Sequence, residues 1–226
     1  MAGVGFALCS ARRENMSIGF VIRRLLGSSE AVVADAYRGA FVSLSDLVRQ
    51  IGEFRPQPAR ILEVGCGEGA MATLLSRSYP ESHITAIDIS PAIGRLYAGS
   101  RENISFRQQS LQQFMADSPD ARFDLVVMAD VLHHVRADRP RLLSDIRHVL
   151  AEGGGFVLKD LDRSMHPVFL LAHFADYAIT GDRHVKYHSA SELSDMLATA
   201  FGPDAVSLPA YVKPWRSNVV FFVSKN

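Results

Sequence analysis

The chain has 226 residues, of which 48% are hydrophobic, and it carries 24 basic and 24 acidic side chains. This length suits one α/β domain with a modest extension, and the apolar content excludes a disordered chain. A balanced charge provides no overall field that would attract nucleic acid or an anionic membrane, so we expect neither as a partner.

The cysteines and the apolar runs point to the cytoplasm. Of the two cysteines, Cys9 and Cys66, the second lies in a glycine-rich turn, which is a poor place for a disulfide. The first ten residues are apolar, but Arg12 and Arg13 follow this run, the reverse of the order in a secretory signal. No apolar stretch approaches the roughly 18 residues that would span a bilayer. We therefore expect a soluble cytoplasmic protein without a membrane span.

Residues 18–52 carry apolar side chains at helical spacing, divided by a Gly-Ser-Ser break. This spacing predicts two helices. Pro56 and Pro58 then close the region before the first predicted strand. We predict an N-terminal helical cap over residues 1–58 and a main domain over residues 59–226.

Residues 60–69 read Arg-Ile-Leu-Glu-Val-Gly-Cys-Gly-Glu-Gly and form the most informative segment of the chain. The apolar run up to Val64 is typical of a buried parallel strand. Gly65, Gly67 and Gly69 follow, and glycines let the backbone adopt unusual dihedral angles and let a ligand approach closely. A helical pattern comes next. Strand, glycine turn and helix N-terminus together predict a site for a nucleotide-type cofactor.

Downstream of the glycine turn, predicted strands alternate with predicted helices. We expect strands at residues 84–87, 104–107, 125–128, 155–158, 205–208 and 219–223. We expect helices after Ser90-Pro91, where proline takes the first helical position, over 138–150 and 165–180, and from Ser189 or Ser191 onward. This alternation predicts an α/β fold with a Rossmann-like, mostly parallel seven-stranded sheet and helices on both faces. The last two strands are expected to form a terminal antiparallel hairpin.

Four blocks of the sequence resemble the motifs of class I S-adenosylmethionine-dependent methyltransferases of the small-molecule type. The first is Glu-Val-Gly-Cys-Gly-Glu-Gly at 63–69, with an acidic residue two positions before the first glycine. Residues 84–90, 123–135 and 150–158 resemble, in order, the blocks at the second, fourth and fifth strands. The resemblance implies S-adenosylmethionine as cofactor. It further implies methyl transfer, chiefly to oxygen, on a small and rather apolar acceptor of aromatic or polyketide type.

The resemblance also assigns residues around the ribose and the methionine portion of the cofactor. Asp88 lies 21 positions after Gly67, where a carboxylate can hold the ribose hydroxyls. Its alternative role is to cap the helix predicted at Ser90-Pro91. Glu63 is expected to order the turn and to face the cofactor ammonium group through water. Gly65, Cys66 and Gly67 form the turn itself, with Cys66 packed as a small side chain and not acting as a nucleophile.

A second group of residues is assigned to the adenine ring. Where the family often has an acidic residue near the adenine amino group, this chain has Gln109 and Ser110, either of which can hydrogen-bond the adenine edge. Ile89 and Leu111 are expected as apolar walls of the ring. The carbonyl of Ala129, at the end of the fourth strand, is expected to face the methionine portion.

Two adjacent histidines, His133 and His134, follow the fourth strand and are the candidate catalytic residues. A histidine is the most available general base for a phenol or hydroxyl near neutral pH. We expect His134 to be the base, because His133 lies closer to the strand end and can pack beneath the loop. The alternative is that neither acts, since alignment alone can drive methyl transfer. Asp160 or Asp162 can orient the substrate.

Other patterns carry less information. His166, His173, His184 and His188 match no known metal-ligand spacing, so we expect no metal. Several aromatic side chains can wall an acceptor cavity: Phe20, Phe41, Phe169, Phe174, Tyr177, Tyr187, Tyr211 and Trp215. The small-molecule acceptor is the only partner that the sequence suggests, and the oligomeric state stays open.

Two rival functions share the glycine turn. Gly65, Gly67 and Ala70 satisfy the dinucleotide pattern G-x-G-x-x-A, which allows an NAD-linked oxidoreductase. No Tyr-x-x-x-Lys proton-relay pair accompanies it. The second rival is a protein that binds S-adenosylmethionine without turning it over.

Overall fold

The computed structural model describes residues 42–135, 138–164 and 185–225. Its strands are β1 (Arg60–Val64), β2 (His83–Asp88), β3 (Ile104–Gln108), β4 (Phe123–Ala129), β5 (Leu150–Leu161), β6 (Ala210–Val212) and β7 (Asn218–Ser224). Its α-helices are α1 (Leu44–Phe54), α2 (Ala70–Ser78), α3 (Leu111–Asp117), α4 (Arg139–Val149) and α5 (Ala190–Phe201), with short 3₁₀ helices at Leu132–His134 and Pro203–Ala205. None of these helices is long and apolar enough to cross a membrane.

The strands form one seven-stranded sheet in the order β3-β2-β1-β4-β5-β7-β6. Strands β1 to β5 run parallel, while β7 is antiparallel to both β5 and β6. The predicted mostly parallel sheet with a terminal antiparallel pair is therefore confirmed. The strand order reverses between β1 and β4, and ligands of open α/β sheets bind at such a point, outside the carboxyl ends of the strands.

Helices cover both faces of the sheet. On one face α1 and α2 pack over side chains such as Ile61, and on the other α3, α4 and α5 pack over side chains such as Leu62 and Val64. The faces alternate along β1 because successive strand side chains point in opposite directions. Both faces of the central strands are buried, which explains why their sequences are continuous apolar runs.

Helix α1 is the described part of the predicted N-terminal cap. Its first turn is capped by Ser43, whose hydroxyl accepts the Asp46 N–H at 3.2 Å, and its apolar side is buried against the sheet core. The earlier predicted helix lies outside the described residues, as does the one expected at 165–180. The domain division at residue 58 stays a prediction.

The helix predicted after Ser90 is wrong, because that segment forms successive turns between β2 and β3. Its amide groups donate to the glycine loop: the Gly94 N–H to the Gly67 carbonyl at 2.9 Å, and the Leu96 N–H to the Glu68 carbonyl at 2.8 Å. In an α-helix each of these N–H groups would instead donate to the carbonyl of the residue four positions earlier in the chain. The segment instead supports the loop from behind.

The sixth strand was predicted at residues 205–208, and this position is wrong: β6 begins five residues later. Val206 makes only an isolated bridge to Val223. Pro209 then has no N–H to donate to a ladder, so continuous pairing with β7 starts beyond it. The hairpin itself is present.

Candidate active site

The glycine turn after β1 forms an open loop at the carboxyl edge of the sheet. Gly65, Gly67 and Gly69 have φ angles of 77°, 50° and 96°, a region that L side chains rarely adopt. A Cβ on Gly65 would collide with the side chain of Val131, whereas a Cβ on Gly67 would meet nothing within 4 Å. Open space over Gly67, next to the N-terminus of α2, is where a ligand can approach the backbone.

Asp88 links this loop to the turn after β2. One carboxylate oxygen accepts the Gly67 N–H at 2.7 Å, and the other accepts the Ser90 N–H at 2.7 Å. These bonds fix the loop and the turn after β2, but the helix that Asp88 was alternatively expected to cap is absent from the described residues 90–100. Each carboxylate oxygen can accept more than one hydrogen bond, so the ribose role is compatible with them and stays a prediction.

Glu63 is buried beneath the loop, with 3% of its surface exposed. Burial, and secondarily the charge of Asp88, raise its pKa to about 8. In the described part of the chain, its Oε2 atom has no hydrogen-bond partner. A buried polar atom without a partner is costly, so this carboxyl group is suited to a cationic ligand that would complete it.

The predicted adenine residues divide into two kinds. Ile89 is 75% exposed, and the buried Nε2 atom of Gln109 has no partner among the described residues. Both features suit groups that a ligand would cover. Ser110 caps α3 by accepting the Gln113 N–H at 3.2 Å. Leu111 is buried in the core, where it offers little surface to a ring.

Cys66 and Ala129 complete the cofactor set. Burial raises the pKa of the Cys66 thiol well above its usual range, so this side chain stays protonated. It behaves as a small packed residue, in keeping with the sequence interpretation. Ala129 ends β4, one position beyond the pairing of Val64 with Met128, and therefore lies across from the start of the glycine turn.

His133 and Asp160 form a buried dyad at the carboxyl ends of β4 and β5. The His133 Nδ1 atom lies 2.6 Å from Asp160 Oδ1, and the two side chains are 4% and 3% exposed. Burial acts to raise the pKa of Asp160, but the neighbouring His133 and the Leu161 N–H outweigh it and lower that pKa below its usual value. An ionised Asp160 only accepts hydrogen bonds, so the Nδ1–H of His133 is the donor.

The dyad favours His133 as the candidate base, whereas the sequence led us to expect His134. The His133 ring stacks on Tyr187 with centroids 4.6 Å apart, and it is the ring held by a carboxylate. His134 is only partly buried. Asp162 is the other acid expected near the substrate. Its carboxylate stabilises local structure, because it accepts hydrogen bonds from Ser164 and from the first N–H of α5.

An ion pair between Lys159 and Asp130 lies next to the dyad, and the sequence analysis did not identify it. The Lys159 ammonium is 2.6 and 2.7 Å from the two carboxylate oxygens of Asp130. One ligand-type atom from each of Asp130, His133 and Asp160 lies within 4.8 Å of the other two. Because the Lys159 ammonium at Asp130 would repel a cation, we assign no metal site to these three residues.

A cleft of about 420 Å³ opens beside the dyad, between the N-terminal ends of α4 and α5. Its lining surface is mostly apolar and includes the side chains of Arg139, Lys186 and His188. The Lys186 N–H donates to the His133 carbonyl at 3.0 Å, which ties this wall to the dyad. Burial, and then the charge of Arg139, lower the pKa of His188 below its usual value. Of the aromatics expected around an acceptor, Tyr187, Tyr211 and Trp215 are in the described ranges.

Comparison with known proteins gives a consistent result. A family model described as a methyltransferase domain matches residues 37–207. The ubiquinone biosynthesis O-methyltransferase of Xylella fastidiosa is 30% identical over 125 residues, which are 54% of this chain and 49% of that protein. That of Xanthomonas campestris pv. campestris is 31% identical over 169 residues, 70% of this chain and 69% of that protein. The chain thus spans about half the length of the first of these relatives.

A solved structure supports the fold. The plantazolicin methyltransferase, crystallised with a monoazolic desmethylPZN analog and S-adenosylhomocysteine, superimposes with a TM-score of 0.66 at 14% identity. The match covers 92% of this chain and 95% of that one.

Proposed function

The chain belongs to the class I S-adenosylmethionine-dependent methyltransferases, and we propose that it methylates a small acceptor at oxygen. One observation carries the proposal: the open glycine loop lies over the buried Glu63, whose Oε2 atom has no partner among the described residues, and is tied to Asp88. Open space, a buried carboxyl group that a nearby cation would ionise, and a ribose-side acid together fit a cofactor with a cationic end and a nucleoside end. Family membership does not favour the NAD-linked alternative.

The residues fit this cofactor at three points. Glu63 would neutralise the cationic methionine end, and Asp88 would accept hydrogen bonds from the ribose hydroxyls. Gln109 would bind the adenine edge with its Nε2 atom, which has no partner among the described residues. Ile89, which is 75% exposed, would be covered by the ring. The bound cofactor supplies a methyl group already activated on a sulfonium, so alignment and water exclusion are the main tasks of the protein.

The dyad is the proposed base for a hydroxyl acceptor. Because Nδ1–H donates to Asp160, the lone pair of the neutral His133 ring is on Nε2, which can accept the hydroxyl proton as the methyl is transferred. Asp160 stabilises the imidazolium that forms. Such a base contributes about 10²–10⁴-fold to a rate.

The acceptor is proposed to be a small phenol-like or hydroxyl compound. Two relatives carry the name of ubiquinone biosynthesis O-methyltransferase, which supports oxygen as the acceptor atom. The stacked Tyr187 supports an aromatic or apolar partner near the dyad. The buried, protonated Cys66 suits the cytoplasm, which we propose as the location.

The test is a turnover experiment with S-adenosylmethionine labelled with deuterium in its methyl group. The protein is incubated with a panel of catechols, phenols and hydroxylated polyketides, and products are detected by mass spectrometry. We expect a labelled methyl ether and S-adenosylhomocysteine in equal amounts. Label found on nitrogen or carbon would refute O-methylation, and no product from a protein that binds the cofactor would favour a non-catalytic role.

A further inference from the structure

We propose that the Lys159–Asp130 ion pair keeps His133 able to accept a proton, by cancelling a negative charge beside its ring. This inference rests on the proposed function of His133 as base. Lys159 and Asp130 are thus positioning residues, which act through the dyad without touching the acceptor.

His133 faces carboxylates from two strand ends. Asp160 lies at 2.6 Å, and an oxygen of Asp130 lies within 4.8 Å of a ring nitrogen. Two negative charges at these distances would stabilise the imidazolium form. A ring that is already protonated has no lone pair for the proton of an acceptor. Uncompensated, Asp130 would therefore work against the base.

Lys159 compensates the negative charge of Asp130. Its ammonium contacts both oxygens of Asp130, and its side chain is 3% exposed, so water screens the contact poorly. The side chain of Asp130 is 45% exposed, so the buried Lys159 holds it from the protein side. Asp160 remains the acid that holds and orients the ring, and Lys159 also interacts electrostatically with it.

The backbone of Asp130 is a second indication that this pair is functional. Its φ angle of 58° lies in the left-handed region that favours glycine. The Asp130 N–H also donates to the Lys159 carbonyl at 3.0 Å, so backbone and side chains join the same two residues. Keeping a non-glycine residue in this conformation suits a position where the carboxylate is needed.

The other titratable groups around the dyad add no negative charge at neutral pH. Among the described residues, the rings of His134 and Tyr187 contact that of His133. Arg139, His188 and Lys159 interact electrostatically with Asp160. Asp130 is thus the acid whose compensation decides the state of the ring.

The experiment follows the titration of His133 by NMR in the full chain labelled with ¹⁵N-histidine, with the signal assigned from the spectrum of His133→Gln. Three variants are compared with the unaltered protein: Lys159→Met, Asp130→Asn and the double variant. Lys159→Met should raise the titration midpoint of His133 by about one pH unit or more, the size expected for a unit charge at about 5 Å near the surface. Asp130→Asn should lower it, because Lys159 is then unpaired. The double variant should return close to the unaltered protein.

Midpoints that do not move, or that move in the same direction in both single variants, would overturn the inference. If the ion pair were purely structural, both single variants would shift the midpoint of His133 in the same direction or leave it unchanged. If Lys159→Met does not fold, the lower midpoint of Asp130→Asn relative to the double variant remains a test. The proposed role of His133 as base is judged separately, by the turnover of His133→Ala with a hydroxyl acceptor, which the titration does not require.

Discussion

Replacing Glu63 by Gln should stabilise the protein without cofactor and weaken its binding of the cofactor. Burial and Asp88 raise the pKa of Glu63 from 4.5 to about 8, so the folded state holds this proton more tightly than the unfolded state. Stability is then fully present below the unfolded pKa and is lost as pH rises toward the folded pKa. The loss is about 1.4 kcal/mol per pH unit, a few kcal/mol over the whole interval. Gln has nearly the same shape and cannot ionise, so it escapes this loss.

The assay is urea unfolding of both proteins without cofactor, from pH 5 to pH 8.5, followed by circular dichroism. The Glu63→Gln variant should gain stability relative to the unaltered protein as pH rises, with little difference near pH 5. Comparing the two proteins cancels the other titrating groups, and equal m-values would show that the unfolded states match.

Cofactor binding should change in the opposite direction. Losing a charged partner of the cofactor ammonium costs about 1.5–3 kcal/mol, or roughly tenfold or more in affinity. A stability difference that does not depend on pH, or a variant that is less stable at pH 8, would refute the account of Glu63. If Glu63→Gln gains stability but keeps its affinity for the cofactor, the account of the Glu63 pKa stands and Glu63 is not part of the cofactor site.

Five further substitutions test the site. Asp88→Ala should lower affinity for S-adenosylhomocysteine roughly tenfold or more, and unchanged calorimetric affinity in the folded variant would remove this residue from the ribose site. Gly67→Ala should abolish cofactor binding more than it lowers the melting temperature, because its Cβ would enter the space open to the ligand; the reverse pattern would mark a structural glycine. His133→Ala should lower turnover about 10²–10⁴-fold, as should Asp160→Asn in part, whereas His134→Ala should have little effect. If His133→Ala, Asp160→Asn and His134→Ala all keep the rate of the unaltered protein across pH 6–9, catalysis works by alignment alone.

The sequence predicts best where one local pattern has one physical cause. The glycine turn could be placed because three glycines directly after an apolar strand leave few other conformations. Helix α3 was not predicted, although Ser110 and Gln113 form the capping box that begins it and would have been a usable signal. The helix predicted after Ser90 had a favourable local start signal. In the structure the amide groups of this segment donate to the glycine loop instead, a contact that the local sequence does not reveal.

The dyad and its ion pair depend on strand order. His133 and Asp160 were both candidates, but they are 27 residues apart, and only the adjacency of β4 and β5 brings them together. The same adjacency pairs Ala129 with Lys159 and so places Lys159 beside Asp130. Such contacts follow from the sheet topology, once the fold is known, and not from spacing along the chain.

The central claim is that the glycine loop with Glu63 and Asp88 holds S-adenosylmethionine. The most direct measurement is isothermal titration calorimetry of the full chain with S-adenosylhomocysteine and, in parallel, with NAD. The account predicts saturable one-to-one binding of S-adenosylhomocysteine, lost in Gly67→Ala, and no binding of NAD. Binding of NAD without binding of S-adenosylhomocysteine would contradict it.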